Sequence, residues 1–113
     1  MKKNLNILGI IPARGNSKRI PHKNMKLFHG KPLIHYTIKE AKKSKFLSKV
    51  IVSTEDKQLS NYAKKLKITV IPRPSKLAKN NSSQYDVIKH SIDYVESMNK
   101  FPVDVFVLLQ PTS

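Results

Sequence analysis

Four short runs of apolar, largely β-branched residues recur along this chain, and each is separated from the next by a segment whose apolar residues return at helical spacing. The first run, residues 7–12 (ILGIIP), is continuous rather than alternating, as expected of a strand buried on both faces of a sheet. Further runs at 50–53, 68–71 and 103–109 predict three more strands, and the last, VDVFVLL, is the most β-prone and predicts a central one. Between them, Leu33, Ile34, Thr37, Ile38 and Ala41 mark one helix face, and Leu59, Ala63 and Leu66 a second. Tyr85, Ile88, Ile92 and Val95 mark a third helix of about four turns. Pro32 suits the first helical position after a turn at Gly30, and Pro102 closes the last helix. This order implies an α/β, Rossmann-like fold with a mostly parallel sheet and helices on both faces.

Such sheets bind ligands beyond the carboxyl ends of their strands. Four polar segments would emerge there: the loop after the first strand, the Ser53-Thr54-Glu55-Asp56 turn, the 73–83 loop and the terminal Gln110-Pro111-Thr112-Ser113. The first of these is strongly basic. Residues 10–24, IIPARGNSKRIPHKN, hold Arg14, Lys18, Arg19 and Lys23 with no carboxylate. One glycine, Gly15, lets backbone N–H groups approach an anion, and Asn16, Ser17 and Asn24 add hydrogen-bonding groups. With a single glycine the loop matches neither G-x-x-x-x-G-K-[ST] nor G-x-G-x-x-G, which excludes the common ATPase and dinucleotide signatures. Arginine forks and lysine point charges in one loop suit a polyphosphate and the charge that builds on a pyrophosphate leaving group.

The whole chain carries a net charge of +15, distributed unevenly. Residues 1–49 hold 13 Lys or Arg against the single acid Glu40, and the rest hold nine against six. A basic nucleic-acid or polyanion-binding module is one reading of this balance. However, 19 of the 22 cations are lysine and aromatic residues are few, whereas base readout and stacking favour arginine and exposed rings. A solvated lysine-rich surface accounts for most of the charge. The absence of cysteine excludes disulfides and thiolate metal sites and suits a cytoplasmic protein. His22, His29, His35 and His90 are not spaced as a metal site, and Glu55 and Asp56 read as acids in the first turn of a helix. No targeting segment and no run of membrane-spanning length is present, so no membrane partner is expected.

The segments IIPARGNSKRIPHKN, GKPLIHYTI, VIVSTED, RPSKLA and LLQPTS occur in an order that resembles the N-terminal half of the acylneuraminate cytidylyltransferases, the CMP-sialic acid synthetases. The resemblance runs along essentially the whole chain. It implies a nucleotide-diphospho-sugar transferase type of fold, truncated, with residues 1–113 as the nucleotide-binding N-terminal part and the C-terminal half absent. It further implies transfer of CMP from CTP to a nine-carbon, sialic-acid-like α-keto sugar acid, with release of pyrophosphate and the help of Mg²⁺. By the family's pattern Arg14, Ser17, Lys23 and Asn24 hold the phosphates and ribose, Arg14 and Lys23 acting in catalysis, with Lys18 beside them. Arg73 faces the cytosine side, Ser82 and Gln84 lie near the nucleotide, and Gln110 stands at the junction of nucleotide and sugar. Asn80 departs from the acidic residue many members carry in L-A-x-D.

The metal ligands and the dimerisation segment of full-length members fall in the absent half, so the chain alone is expected to be inactive. Pseudaminic, legionaminic and Kdo acid cytidylyltransferases share much of this pattern, and the basic polyanion-binding module is the alternative from another class.

Overall fold

In the computed structural model, residues 4–15, 26–79 and 83–110 are described. Their main sheet has four parallel strands: β1 (Ile7–Pro12), β4 (Lys49–Thr54), β5 (Thr69–Pro72) and β6 (Val105–Leu108), in the spatial order β5-β4-β1-β6. β1 pairs with β4 in the register Ile10 to Ile51 and with β6 in the register Gly9 to Val107. A small antiparallel hairpin of β2 (Leu27–Phe28) and β3 (Lys31–Pro32) turns at His29 and Gly30, both at positive φ, as the two-residue turn there requires.

Three α-helices are described: α1 (Leu33–Lys43), α2 (Lys57–Lys65) and α3 (Gln84–Met98). None is long and apolar enough to cross a membrane. The helices lie on both faces because successive strand residues point to opposite sides. On one face Ile11, Ala13 and Val52 pack with Ile34, Ile38 and Ala41 of α1 and with Leu59 and Ala63 of α2. On the other, Leu8, Ile10, Ile51 and Ile71 pack with Val95 of α3, with Ile88, Ile92 and Leu108 against them. The α/β, mostly parallel architecture read from the sequence is therefore the observed one.

The details depart from expectation in several places. β6 is an edge strand of the described sheet, not a central one, and Val105, Phe106 and Val107 are 41, 43 and 38 % exposed. Its β-branched and aromatic composition reports a fit to a pleated, buried surface, and composition cannot say how many neighbours supply that surface. Tyr85 stands out in solvent, whereas Val87, Ser91 and Val95 form the buried stripe of α3. Pro32 closes β3 and caps α1 in an extended conformation rather than opening the helix. Leu66 is the C-cap of α2, half-buried just past its last turn.

The chain's path fixes where a ligand can bind. From β1 it steps outward through α1 to β4 and through α2 to β5, then returns through α3 to β6 on the other side of β1. Strand order thus reverses between β1 and β6, and the crevice beyond their carboxyl ends is the topological switch point. The basic loop begins there, directly after β1.

Candidate functional site

The carboxyl ends of β1, β4 and β5 are laced together by hydrogen bonds that continue past the strands. Ala13 N–H donates to the Ser53 carbonyl at 2.9 Å, and Arg73 N–H donates to the Thr54 carbonyl at 2.9 Å. On the other side of β1, Leu109 N–H donates to the Ile10 carbonyl at 2.8 Å, which carries β6 toward the same edge. Ser53 and Thr54 are buried there, where the loops depart.

Arg73 is the most buried of the described cations, at 5 % exposure. Its Nε donates to Ser53 Oγ at 3.2 Å, its Nη2 to the Ser53 carbonyl at 3.1 Å and its Nη1 to the Leu77 carbonyl at 3.4 Å. The fork ties β4 to the short 3₁₀ turn Ser75–Leu77. Burial draws its pKa below the usual arginine value; Glu55 opposes that effect and Arg14 adds to it. Arg14, half-buried on the first residues of the basic loop, therefore lies close enough for mutual repulsion. Arg14 and Arg73 share this edge with two acids, Glu55 and Asp56, so the surplus positive charge of the basic loop comes from Lys18, Arg19 and Lys23 further along its sequence.

Glu55 and Asp56 do not sit in the first turn of a helix. Asp56 is the N-cap of α2, and its Oδ2 accepts the Leu59 N–H at 2.9 Å. Glu55 precedes the cap and turns back to the start of the basic loop, where Oε2 accepts the Gly15 N–H at 2.8 Å. The spacing of Asp56 to Leu59 is an N-cap signature that the sequence carries. The Glu55 partner, 40 positions away, leaves no local signal.

Of the other residues singled out from the sequence, Gln84 opens α3 and is exposed. Gln110 follows β6 and lines a groove of about 660 Å³ between α1 and β6, with Tyr36, Phe46, Leu47 and Val107 among its walls. Those walls are largely apolar and unlike a triphosphate site. Ser17, Lys18, Lys23, Asn24 and Ser82 lie outside the described residues. Among the described residues no group of three or more His, Asp or Glu side chains converges as a metal site. Glu55 and Asp56 each accept one backbone N–H, through Oε2 and Oδ2, and no third acid or histidine joins them as a metal site among the described residues.

A family model described as cytidylyltransferase matches residues 8–98, from within β1 to the end of α3. The chain belongs to the cytidylyltransferase family. The N-acylneuraminate cytidylyltransferase of Escherichia coli O18:K1:H7 is 37 % identical to it over 107 residues, covering 95 % of this chain and 24 % of the relative. The CMP-N,N'-diacetyllegionaminic acid synthase of Legionella pneumophila is 42 % identical over 113 residues, covering 96 % of this chain and 47 % of the relative. Among solved structures, a CMP:2-keto-3-deoxy-manno-octonic acid synthetase complexed with CTP is similar with a TM-score of 0.71 at 27 % identity. That likeness covers 94 % of this chain and 40 % of the other. This cytidylyltransferase family member thus spans between about a quarter and a half of the length of the relatives it matches.

Proposed function

We propose that this chain is the nucleotide-binding part of a cytidylyltransferase that transfers CMP from CTP to a nine-carbon, sialic-acid-like sugar acid. The observation that carries this reading is the position of the basic loop: it leaves β1 at the topological switch point, with Arg14 beside the buried Arg73, in a chain of the cytidylyltransferase family. In the reaction the sugar hydroxyl oxygen bonds to the α-phosphorus of CTP. The bond from that phosphorus to the bridging oxygen breaks, pyrophosphate leaves, and the hydroxyl proton is lost to solvent or a base. The chain's cations act on charge and position rather than on covalent chemistry.

Arg14, with Lys23, would neutralise the phosphate oxygens as charge moves onto the leaving group. Ser17, Lys18 and Asn24 complete the triphosphate and ribose contacts in this reading. Arg73, Ser82 and Gln84 serve the cytosine side, Arg73 chiefly by fixing the end of β4 against the 3₁₀ turn. Gln110 stands toward the sugar. Mg²⁺ would supply charge stabilisation on the triphosphate. The named relatives act on N-acylneuraminate and on N,N'-diacetyllegionaminic acid. The sialic-acid-like substrate proposed for this chain rests on its motifs together with those relatives.

Nucleotide competition tests the reading. Binding of CTP to the 113-residue protein, displaced by unlabelled CTP at a concentration at least tenfold lower than ATP or GTP, is the expected result. Equal displacement by all three, or tighter and strongly salt-dependent binding to duplex DNA, would sink it in favour of a polyanion-binding module. Transfer to N-acetylneuraminate by this chain alone is expected to be negligible, because it spans less than half of each relative that performs the reaction. Robust CMP-sugar formation by purified residues 1–113 would refute that part.

A further inference from the structure

Glu55 and Asp56 have no place among the nucleotide contacts, yet both are committed to the root of the basic loop. Glu55 Oε2 accepts the Gly15 N–H at 2.8 Å, a bond to a carboxylate of the kind that is roughly twice as strong as a neutral one. Asp56 meets the same residue by packing. A Cβ added to Gly15 would lie 2.6 Å from Asp56 Oδ1 and 2.7 Å from Asp56 Cβ, closer than real Cβ atoms come. Asp56 cannot easily yield, since its side chain caps α2 through Leu59 N–H and its own N–H donates to Thr54 Oγ1 at 3.1 Å.

Gly15 is therefore bonded to one residue of the β4–α2 connection and pressed against the next. Among the described residues the second Glu55 oxygen, Oε1, is buried with no hydrogen-bond partner.

We propose that Glu55 is a positioning residue for the basic loop. By holding the Gly15 amide, with Asp56 packed beneath the same residue, it fixes the point at which the loop leaves the sheet and the placement of Arg14 beside Arg73. It does not touch the nucleotide. The consequence for CTP rests on the triphosphate reading of the loop, whereas the latch itself does not.

Two measurements on the 113-residue protein separate these layers. In ¹⁵N-labelled protein the Gly15 amide resonance is expected to move upfield in Glu55→Ala, as loss of a hydrogen bond to a carboxylate moves it, and to lie between the two in Glu55→Gln. A Gly15 amide indifferent to both would overturn the latch whether or not CTP binds. By calorimetry, Glu55→Ala is expected to weaken CTP binding about tenfold, the worth of one charge-assisted hydrogen bond. Glu55→Gln, which keeps an acceptor oxygen at the same reach but not its charge, should recover about half of that loss in free energy.

Unchanged binding in Glu55→Ala, or no recovery in Glu55→Gln, overturns the proposal. Tighter binding also does, since Glu55 would then be an anion competing with phosphate. If Glu55→Ala does not fold, Gly15→Ala probes the same contact from the loop and is expected to weaken CTP binding at least as much; unchanged affinity there is equally fatal. A wild-type chain that binds no CTP defeats the functional reading alone, because the Gly15 amide shift in the Glu55 variants still reports on the latch.

Discussion

β4 and β6 flank β1 on either side in the same parallel register, yet they live in different surroundings. Ile51 and Val52 of β4 are fully buried, one facing α3 and the other α1 and α2, and β5 pairs along the far side. β6 has one described neighbour, and its three residues Val105, Phe106 and Val107 remain more than a third exposed. Both strands are apolar runs of similar character. The difference is therefore a property of position in the sheet, and it places the stability of the described chain on the β1, β4 and β5 side. The same side carries the laced strand ends from which the basic loop departs.

The sharpest way to break this comparison is to truncate one aliphatic side chain of each strand to alanine. Ile51→Ala is expected to lower unfolding free energy by about 2–5 kcal/mol, the range for a fully buried aliphatic truncation. Val107→Ala, at 38 % exposure, is expected to cost less than about 1 kcal/mol. Urea unfolding of the two variants at equal concentration measures both. Similar losses would mean that β6 is covered in solution by something the described residues do not include.

The next effect concerns the ends rather than the middles of the strands. Arg73→Lys keeps the charge but cannot span Ser53 Oγ, the Ser53 carbonyl and the Leu77 carbonyl at once. A loss of about 1–3 kcal/mol is expected, as for buried acceptors left without donors, together with weaker CTP binding. A variant as stable as wild type that has lost only CTP affinity would instead make Arg73 a direct nucleotide ligand. Smaller again, Asp56→Ala should cost about 1 kcal/mol through loss of the α2 cap. If the cap were its only task, Asp56→Asn would restore stability and leave CTP binding untouched.

These contrasts also mark what the sequence reveals. Buried parallel strands announce themselves because each residue needs an apolar neighbour on its own face, and the run Ile7–Pro12 contains no polar side chain. The amphipathic stripes of α1 and α2 are legible for the same reason, and Ile34, Ile38, Leu59 and Ala63 are buried as the spacing implies. The edge position of β6 is not legible, since nothing local to VDVFVLL encodes how many strands lie beyond it. In α3 the small Ser91 lies at the centre of the buried stripe while the large Tyr85 points outward, an inversion that hydropathy cannot register. At the site, the cations of the basic loop stand out by their density. Glu55, which holds that loop in place, is hidden because its partner is a backbone N–H 40 residues earlier.

The smallest expected effect comes from acid, and it falls on the helices that cover the inner strands. His35 on α1 and Tyr62 on α2 meet at 2.8 Å between Nδ1 and the hydroxyl, joining the two helices of one face. Burial lowers the His35 pKa from its usual 6.5, and the charges of Lys31 and Lys39 lower it further. On the opposite face burial likewise lowers that of His90, with Arg73 adding to the effect and Asp93 opposing it. A histidine whose folded pKa lies below 6.5 takes up its proton more readily in the unfolded chain. Its contribution is therefore complete above that pH and is lost as pH falls toward and through the folded value. Thermal melts are expected to hold level from pH 8 to 7 and to drop steadily from about 6.5 to 5, with a flatter profile in His35→Gln. Since neither histidine lies on β6, the acid-induced drop should persist unchanged in Val107→Ala. A slope that changed with β6 would tie the edge strand to the helical layers more tightly than its exposure implies.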